Sequence, residues 1–334
     1  MTTIYTIGDV HSDTDTLRIF ADYVRGREDS YILCNGDLLE KQFNDKRWML
    51  ELTFNPSGFL ESMAEFTGKQ LHEFKSILDS TALPWYAVYG NYEPTKETAE
   101  VLEESFMHNR KIELDGFSVF GQGGADAFPA HINVARAFRP IEYDIEQVRL
   151  RIEKDDSDYL LLHNPLKGLL DNVAGENTGA DITDILESHE YNAVFSGHIH
   201  EEGPLGKAHA GHHSGIAYYV NSRGKGTFAI NPGNLGETGR IDPMTLERVQ
   251  PDPYFGLFAE LETDKAGNPL KLAQYTLAPN GKRTSEPLKI AEFDLTKAAG
   301  LAQGIYHSED LELIPEFIVE SILTRSELKE AAPH

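Results

Sequence analysis

Thr3-Ile4-Tyr5-Thr6-Ile7-Gly8-Asp9-Val10-His11 decides how the chain is read. A short β-favouring run ends at a glycine, and two side chains able to bind a cation, Asp9 and His11, follow two residues apart. Residues 14–25 then show helical spacing, with Leu17, Phe20, Ala21 and Val24 on one face and Asp13 or Thr14 available as cap. The order recurs. Residues 31–34 form a strand ending at Asn35-Gly36-Asp37, and a long helix is predicted over 57–79. A third strand, 84–89, runs into Gly90-Asn91-Tyr92-Glu93. Strand, polar loop and helix in repetition predict an α/β layered fold.

The later strands fit the same scheme. Residues 158–162 precede His163, and 193–196 precede Gly197-His198-Ile199-His200. Residues 217–231 read as β structure leading to Asn231-Pro232-Gly233-Asn234. A hairpin over 111–121 turns at Asp115-Gly116, and a closing hairpin joins 255–261 to 270–277. The ligand-type residues come directly after strands, where open α/β sheets bind their ligands. Stretches 121–140 and 201–216 are loop-like. The reading gives one domain over 1–280 and a C-terminal extension over 281–334, with a helical pattern near 308–330. No internal repeat is visible.

The 334 residues are 40% hydrophobic and 25% charged, which places the chain among ordinary globular proteins. Its net charge of −24 argues against non-specific binding to nucleic acid or anionic membrane, since both attract basic surface. The lone cysteine, Cys34, excludes an intramolecular disulfide, and its apolar surroundings predict a buried strand position. No basic and apolar leader opens the chain, and no run reaches the ~20 apolar residues of a membrane span. A cytoplasmic protein is the expectation.

Two cations ~3.5–4 Å apart need a shared carboxylate, further nitrogen and oxygen donors, and open positions. Asp37 at a strand end can bridge. Asp9 and His11 can converge on one ion, while His198 and His200 can reach different ions or share one. Asn91 offers a hard neutral carbonyl, and His163 a further imidazole. Mixed imidazole and carboxylate donors suit manganese, iron, zinc, cobalt or nickel, and exclude an all-oxygen calcium cage.

In order, these segments resemble the calcineurin-like metallophosphoesterase superfamily, whose run is D-x-H, G-D-x-x-D, G-N-H-D/E, a His, and G-H-x-H. The resemblance covers residues 4–235 and looks closest to the bacterial and archaeal phosphodiesterase-like branch. It implies a four-layer α-β-β-α sandwich of two mixed β-sheets flanked by helices. It implies two divalent metal ions, with Asp9, His11, Asp37 and His200 on the first and Asn91, His163 and His198 on the second, Asp37 bridging. It implies hydrolysis of a phosphate ester, above all a phosphodiester, by a metal-bridging hydroxide. Asn91, Tyr92 and His163 are then the candidate catalytic side chains, and a small-molecule or nucleotide phosphoester the candidate substrate. The rival readings are a metal-bound interaction scaffold with little turnover, and a nuclease. Against the nuclease stand the acidic balance and the expectation of no separate DNA-capping domain.

Three positions depart from the family run. Tyr92 stands where the family has His, and Glu40 where many members have Asp. Lys41 replaces an Arg on which the protein-phosphatase branch relies, which argues against that branch. Arg136 and Arg139 are candidate phosphate-binding residues, since arginine suits bidentate phosphate recognition. His209, His212, His213, Arg223 and Lys225 are further candidates, and Asn231 is read as shaping the site wall.

Overall fold

The computed structural model describes residues 1–40, 50–51, 53–125, 142–173, 175–206, 213–237, 239–241, 248–251 and 254–308. Strand β1 (Thr2–Ile7) leads through the first ligand loop into helix α1 (Thr14–Val24). Asp13 caps that helix, its carboxylate accepting from Thr16 N at 3.1 Å. Then come β2 (Ser30–Cys34), helix α2 (Pro56–Asp79), β3 (Trp85–Ala87) and helix α3 (Thr95–Leu102). The hairpin β4 (Arg110–Leu114) and β5 (Phe117–Gln122) turns at Asp115-Gly116. Helix α4 (Ile145–Ile152) precedes β6 (Tyr159–Leu162). Two short strands, β7 (Asn172–Val173) and β8 (Glu176–Asn177), pair with each other before β9 (Ala193–Phe195). The chain continues with β10 (Ile216–Val220), β11 (Gly226–Ile230) and the small pair β12 (Gly239–Ile241) and β13 (Arg248–Pro251). It closes with β14 (Leu257–Thr263), β15 (Pro269–Thr276), β16 (Leu288–Asp294) and β17 (Gly304–His307).

Two mixed sheets result, one in the order β16-β15-β14-β1-β2-β3 and one in the order β17-β10-β11-β9-β6-β5-β4. Strands β1, β2 and β3 run parallel, as do β5, β6, β9 and β11. Alternation along each strand decides which layer a side chain joins. Ile4, Leu33 and Leu261 from the first sheet meet Tyr159, Phe195 and Ile230 from the second in the central core. Tyr5, Ile7 and Ile32 point the other way, onto Leu17 and Phe20 of α1 and Leu71 and Phe74 of α2. On the far side Leu160, Leu162 and Val194 pack with Val148 and Ile152 of α4. Helix, sheet, sheet, helix is thus the observed layering. Strands buried on both faces explain why their sequences read as unbroken apolar runs.

The expected boundary at residue 280 does not coincide with the edge of the sheets. Strand β16 pairs with β15 and β17 pairs with β10, so each sheet takes an edge strand from beyond it. The helical pattern near 308–330 lies almost wholly outside the described residues. Cys34 is fully buried in β2, and burial raises its thiol pKa above the usual range. No described helix is long and apolar enough to cross a membrane.

Candidate metal centre

Parallel strands deliver the site's side chains to one end of both sheets. Asp9 and His11 follow β1, Asp37 follows β2, Asn91 follows β3, His163 follows β6, and His198 and His200 follow β9. Asn35 ties the sheets together there. Its Nδ2 donates to Ser196 O at 2.6 Å, and its backbone carbonyl accepts from His163 Nδ1 at 2.8 Å. A carbonyl only accepts, so Nδ1 carries the proton and Nε2 presents its lone pair to the site. The ligand loops also brace one another. Asp9 N donates to Gly36 O and His11 N to Asp37 O, each at 3.0 Å.

These loops hold unusual backbone. Asp9, His11, Asp37 and His198 have φ of 49°, 47°, 46° and 66°. For residues with a Cβ such left-handed conformations cost about 1–3 kcal/mol each and persist where surrounding contacts enforce them. Here the contacts include the loop bonds above and the His198 N–H, which donates to Asp9 Oδ2 at 3.2 Å.

Among the described residues two groups of donors emerge. Asp9, His11 and His200 form one, Asp37, His163 and His198 the other, and in each group the ligand atoms lie within 4.8 Å of one another. In the first, His11 Nε2 and His200 Nε2 face each other at 3.4 Å, and Asp9 Oδ1 is 3.5 Å from His200 Nε2. Asp37 looks both ways, with Oδ1 3.5 Å from His163 Nε2 and Oδ2 4.0 Å from His11 Nε2. The Asn91 carboxamide oxygen sits 2.8 and 3.0 Å from the Asp37 oxygens, 3.0 Å from His163 Nε2 and 3.3 Å from His198 Nδ1. Turning that amide over would put its NH₂ among these acceptors. A cation held among these facing acceptors would relieve the same crowding, and the donor chemistry fits one.

Electrostatics point the same way. Burial, then the charges of Glu93 and Asp9, push the Asp37 pKa well above the usual carboxylate range. Burial also opposes ionisation of Asp9, but hydrogen bonding and charge from His200 outweigh it and hold the carboxyl at about 2. His198 is pushed down to about 3 by burial and by His163. Metal binding requires neutral imidazoles and ionised carboxylates, so the lowered His198 and Asp9 pKa values suit it, while the raised Asp37 pKa reports a crowding of negative charge that a bound cation would relieve.

Glycines let the loops close on these groups. At Gly90 an added Cβ would lie 2.0 Å from Asp37 Oδ1 and 2.4 Å from its backbone nitrogen. At Gly36, where φ is +101°, it would meet His163 Nδ1 at 2.7 Å. Gly90→Ala is therefore expected to displace the Asp37 carboxylate and lower bound metal by at least one equivalent, with the far-UV circular dichroism kept. Elemental analysis of the purified variant checks this, and two retained equivalents would count against it.

The other candidates are placed as follows. The Tyr92 ring packs edge-on against His11, centroids 5.5 Å apart. Glu40 brings Oε2 to 3.8 Å from His11 Nδ1. Asn231 shapes a turn, donating to Ile199 O and accepting from Gly233 N, both at 2.9 Å. His213 is tied to the first sheet, Nε2 donating to Gln274 Oε1 at 2.6 Å. Arg223 and Lys225 pair with Glu190 at the start of β11, the opposite end from Asn231. Arg136, Arg139, His209, His212 and Lys41 lie outside the described residues. Sequence reasoning missed two supports, Asn35 and Glu93. Glu93 is fully buried and accepts from Leu39 N at 2.7 Å and Gly90 N at 2.6 Å, and burial pushes its pKa up to about 7. Its place in the Gly90–Glu93 segment was the available signal. Asn35 gave none beyond preceding Gly36.

The family model described as calcineurin-like phosphoesterase matches residues 2–202. No curated protein matches the chain. One solved structure is 14% identical over 78% of this chain and 94% of its own, with a TM-score of 0.51, a likeness of fold. The TT1561 protein of Thermus thermophilus is 16% identical over 74% of this chain and 96% of its own, with a TM-score of 0.45.

Proposed function

The chain belongs to the calcineurin-like phosphoesterase family, metal-dependent hydrolases of phosphate esters, and on that premise we propose that it cleaves small phosphodiesters. Two divalent cations, of manganese, iron, zinc, nickel or cobalt, would supply positive charge for the phosphoryl oxygens and acidify a water. The chain's own residues do the rest. Asp9, His11 and His200 would hold one cation and Asn91, His163 and His198 the other, with Asp37 placed to serve both. Asn35 fixes the His163 tautomer, and Glu93 fixes the loops that carry Asp37 and Asn91.

Tyr92 is the observation that favours a diester: it sets a phenol beside His11 where the family run has an imidazole, so the position offers no cationic form to meet the second negative charge that a monoester brings. The chain's net charge of −24 favours small nucleotide-like esters over polymeric nucleic acid, and an unpaired buried cysteine suits a reducing cytoplasm.

Metal-stripped protein reloaded separately with each of the five ions should turn over an aryl phosphodiester. Its kcat/KM is expected to exceed that for the matching monoester by about tenfold, ~1.4 kcal/mol. A monoester preference overturns the diester reading. Two bound equivalents with no turnover on any ester favours a binding scaffold, the rival that Tyr92 supports.

A further inference from the structure

The loop that carries Asp9 and His11 is strained at Asp9, His11 and Ser12, whose φ values are 49°, 47° and 60°. Such backbone persists only where its surroundings enforce it. One side of the loop is held by residues that follow β2. There His11 N donates to Asp37 O at 3.0 Å and Ser12 N to Leu38 O at 3.1 Å. The other side is held by residues 234–237. Leu235 N donates to Gly8 O at 2.9 Å, Gly236 N to Asp9 O at 3.1 Å and Glu237 N to Asp13 Oδ2 at 2.8 Å. The approach is so close that a Cβ on Gly236 would lie 1.8 Å from Val10 O.

This second wall lies beyond the stretch 2–202 that the family model matches. Backbone bonds continue outward from it. Gly256 N donates to Leu235 O at 2.9 Å, Leu277 N to Gly256 O at 2.8 Å and Thr284 N to Leu277 O at 2.7 Å. The last of these brings the connection between β15 and β16 up to the wall, and the Arg283 side chain reaches back across it. Its Nη2 donates to Asp13 Oδ2 at 2.8 Å and to Glu237 Oε2 at 2.9 Å, and its Nε to Thr16 Oγ1 at 2.9 Å. The guanidinium carbon lies 5.0 Å from the centre of the buried Phe255 ring. Asp13 is buried and caps α1, so Arg283 grips the ligand loop where it enters the helix. Among the described residues Arg283 is the cation that pairs with both Asp13 and Glu237. A planar guanidinium meets these acceptors in fixed directions, as an ammonium on a flexible stem cannot.

We propose that Arg283 is a positioning residue for the first cation. It locks residues 234–237 onto the loop from Asp9 to Asp13, which keeps Asp9 and His11 converged on His200. The inference rests on the two-cation reading and gives a role to a residue that the sequence alone assigns to an extension.

Arg283→Met keeps an apolar stem against Phe255 and removes the donors. In metal-free protein, hydrogen exchange read by NMR should quicken by about tenfold or more at the Leu235, Gly236 and Glu237 amides. The Gly197 amide, bonded to His163 O at 3.0 Å, should keep its rate. Wild type titrated with cobalt is expected to bind two equivalents. The variant should bind one of them about 10–100-fold more weakly, the loss expected when an outer support of a metal ligand is removed. His200→Ala deletes a ligand of the first cation, so adding Arg283→Met to it should leave the remaining cobalt affinity unchanged. A residue that only stabilises the fold would weaken both equivalents and quicken exchange at Gly197 too. Arg283→Lys should restore part of the affinity through its charge. Wild type that binds no cobalt overturns the two-cation reading, while the exchange rates still decide whether Arg283 holds the loop. Unchanged exchange, equal weakening of both equivalents, or an effect that persists beside His200→Ala overturns the assignment of Arg283.

Discussion

Asp37→Asn is expected to release metal and abolish turnover together. Among the described residues Asp37 is the carboxylate directed at both donor groups, with one oxygen 3.5 Å from His163 Nε2 and the other 4.0 Å from His11 Nε2. It is buried, so water cannot replace the lost ligand charge cheaply. An amide keeps the shape and one acceptor oxygen, which can still take the Asn91 N–H now bonded to Oδ1 at 2.8 Å. It loses the negative charge, and its NH₂ side cannot coordinate. If the shared carboxylate contributes several kcal/mol of charge stabilisation, kcat should fall by about 10³ or more. Elemental analysis, kcat on the aryl diester and circular dichroism would be read on one preparation. Two bound equivalents with wild-type turnover would overturn the bridging assignment.

The side chains of that centre were readable in the sequence for a physical reason. Each follows a strand, and parallel strands of a layered fold end on the same side, so motif order alone brings Asp9, Asp37, His163 and His198 together. The layering was readable because period-two alternation and helical spacing are local. What joins the layers is not local. Asn35 links β2 to Ser196 and His163 through bonds between residues more than 120 positions apart, and no spacing rule reports them. Strands β16 and β17 were assigned to an extension because short edge strands carry weak patterns. Their membership depends on pairing with β15 and β10. His213 shows the limit from the other side. It stands in a histidine cluster that reads as loop, yet its partner Gln274 belongs to the opposite sheet.

Tyr92 decides between enzyme and scaffold. Its ring lies against His11 and belongs to neither donor group, so its removal should spare the metals. A phenol, with an unperturbed pKa near ~10, gives up a proton less readily at neutral pH than an imidazolium, but it donates a hydrogen bond well. If that hydroxyl stabilises charge on the phosphoryl group or the leaving oxygen, Tyr92→Phe should lower kcat by ~10²–10³ with metal content unchanged. A side chain that only packs beside His11 would lose far less, because phenylalanine keeps the edge-on ring contact. Tyr92→His places a stronger acid at the same position. It should raise monoester turnover relative to diester turnover, since an imidazolium adds positive charge to meet the second negative charge that a monoester brings. The three proteins, each with metal quantified, would be compared on a diester and a monoester sharing one leaving group. Unchanged kinetics in Tyr92→Phe would show that the hydroxyl takes no part, and the catalytic contribution would then rest on the metal ligands alone.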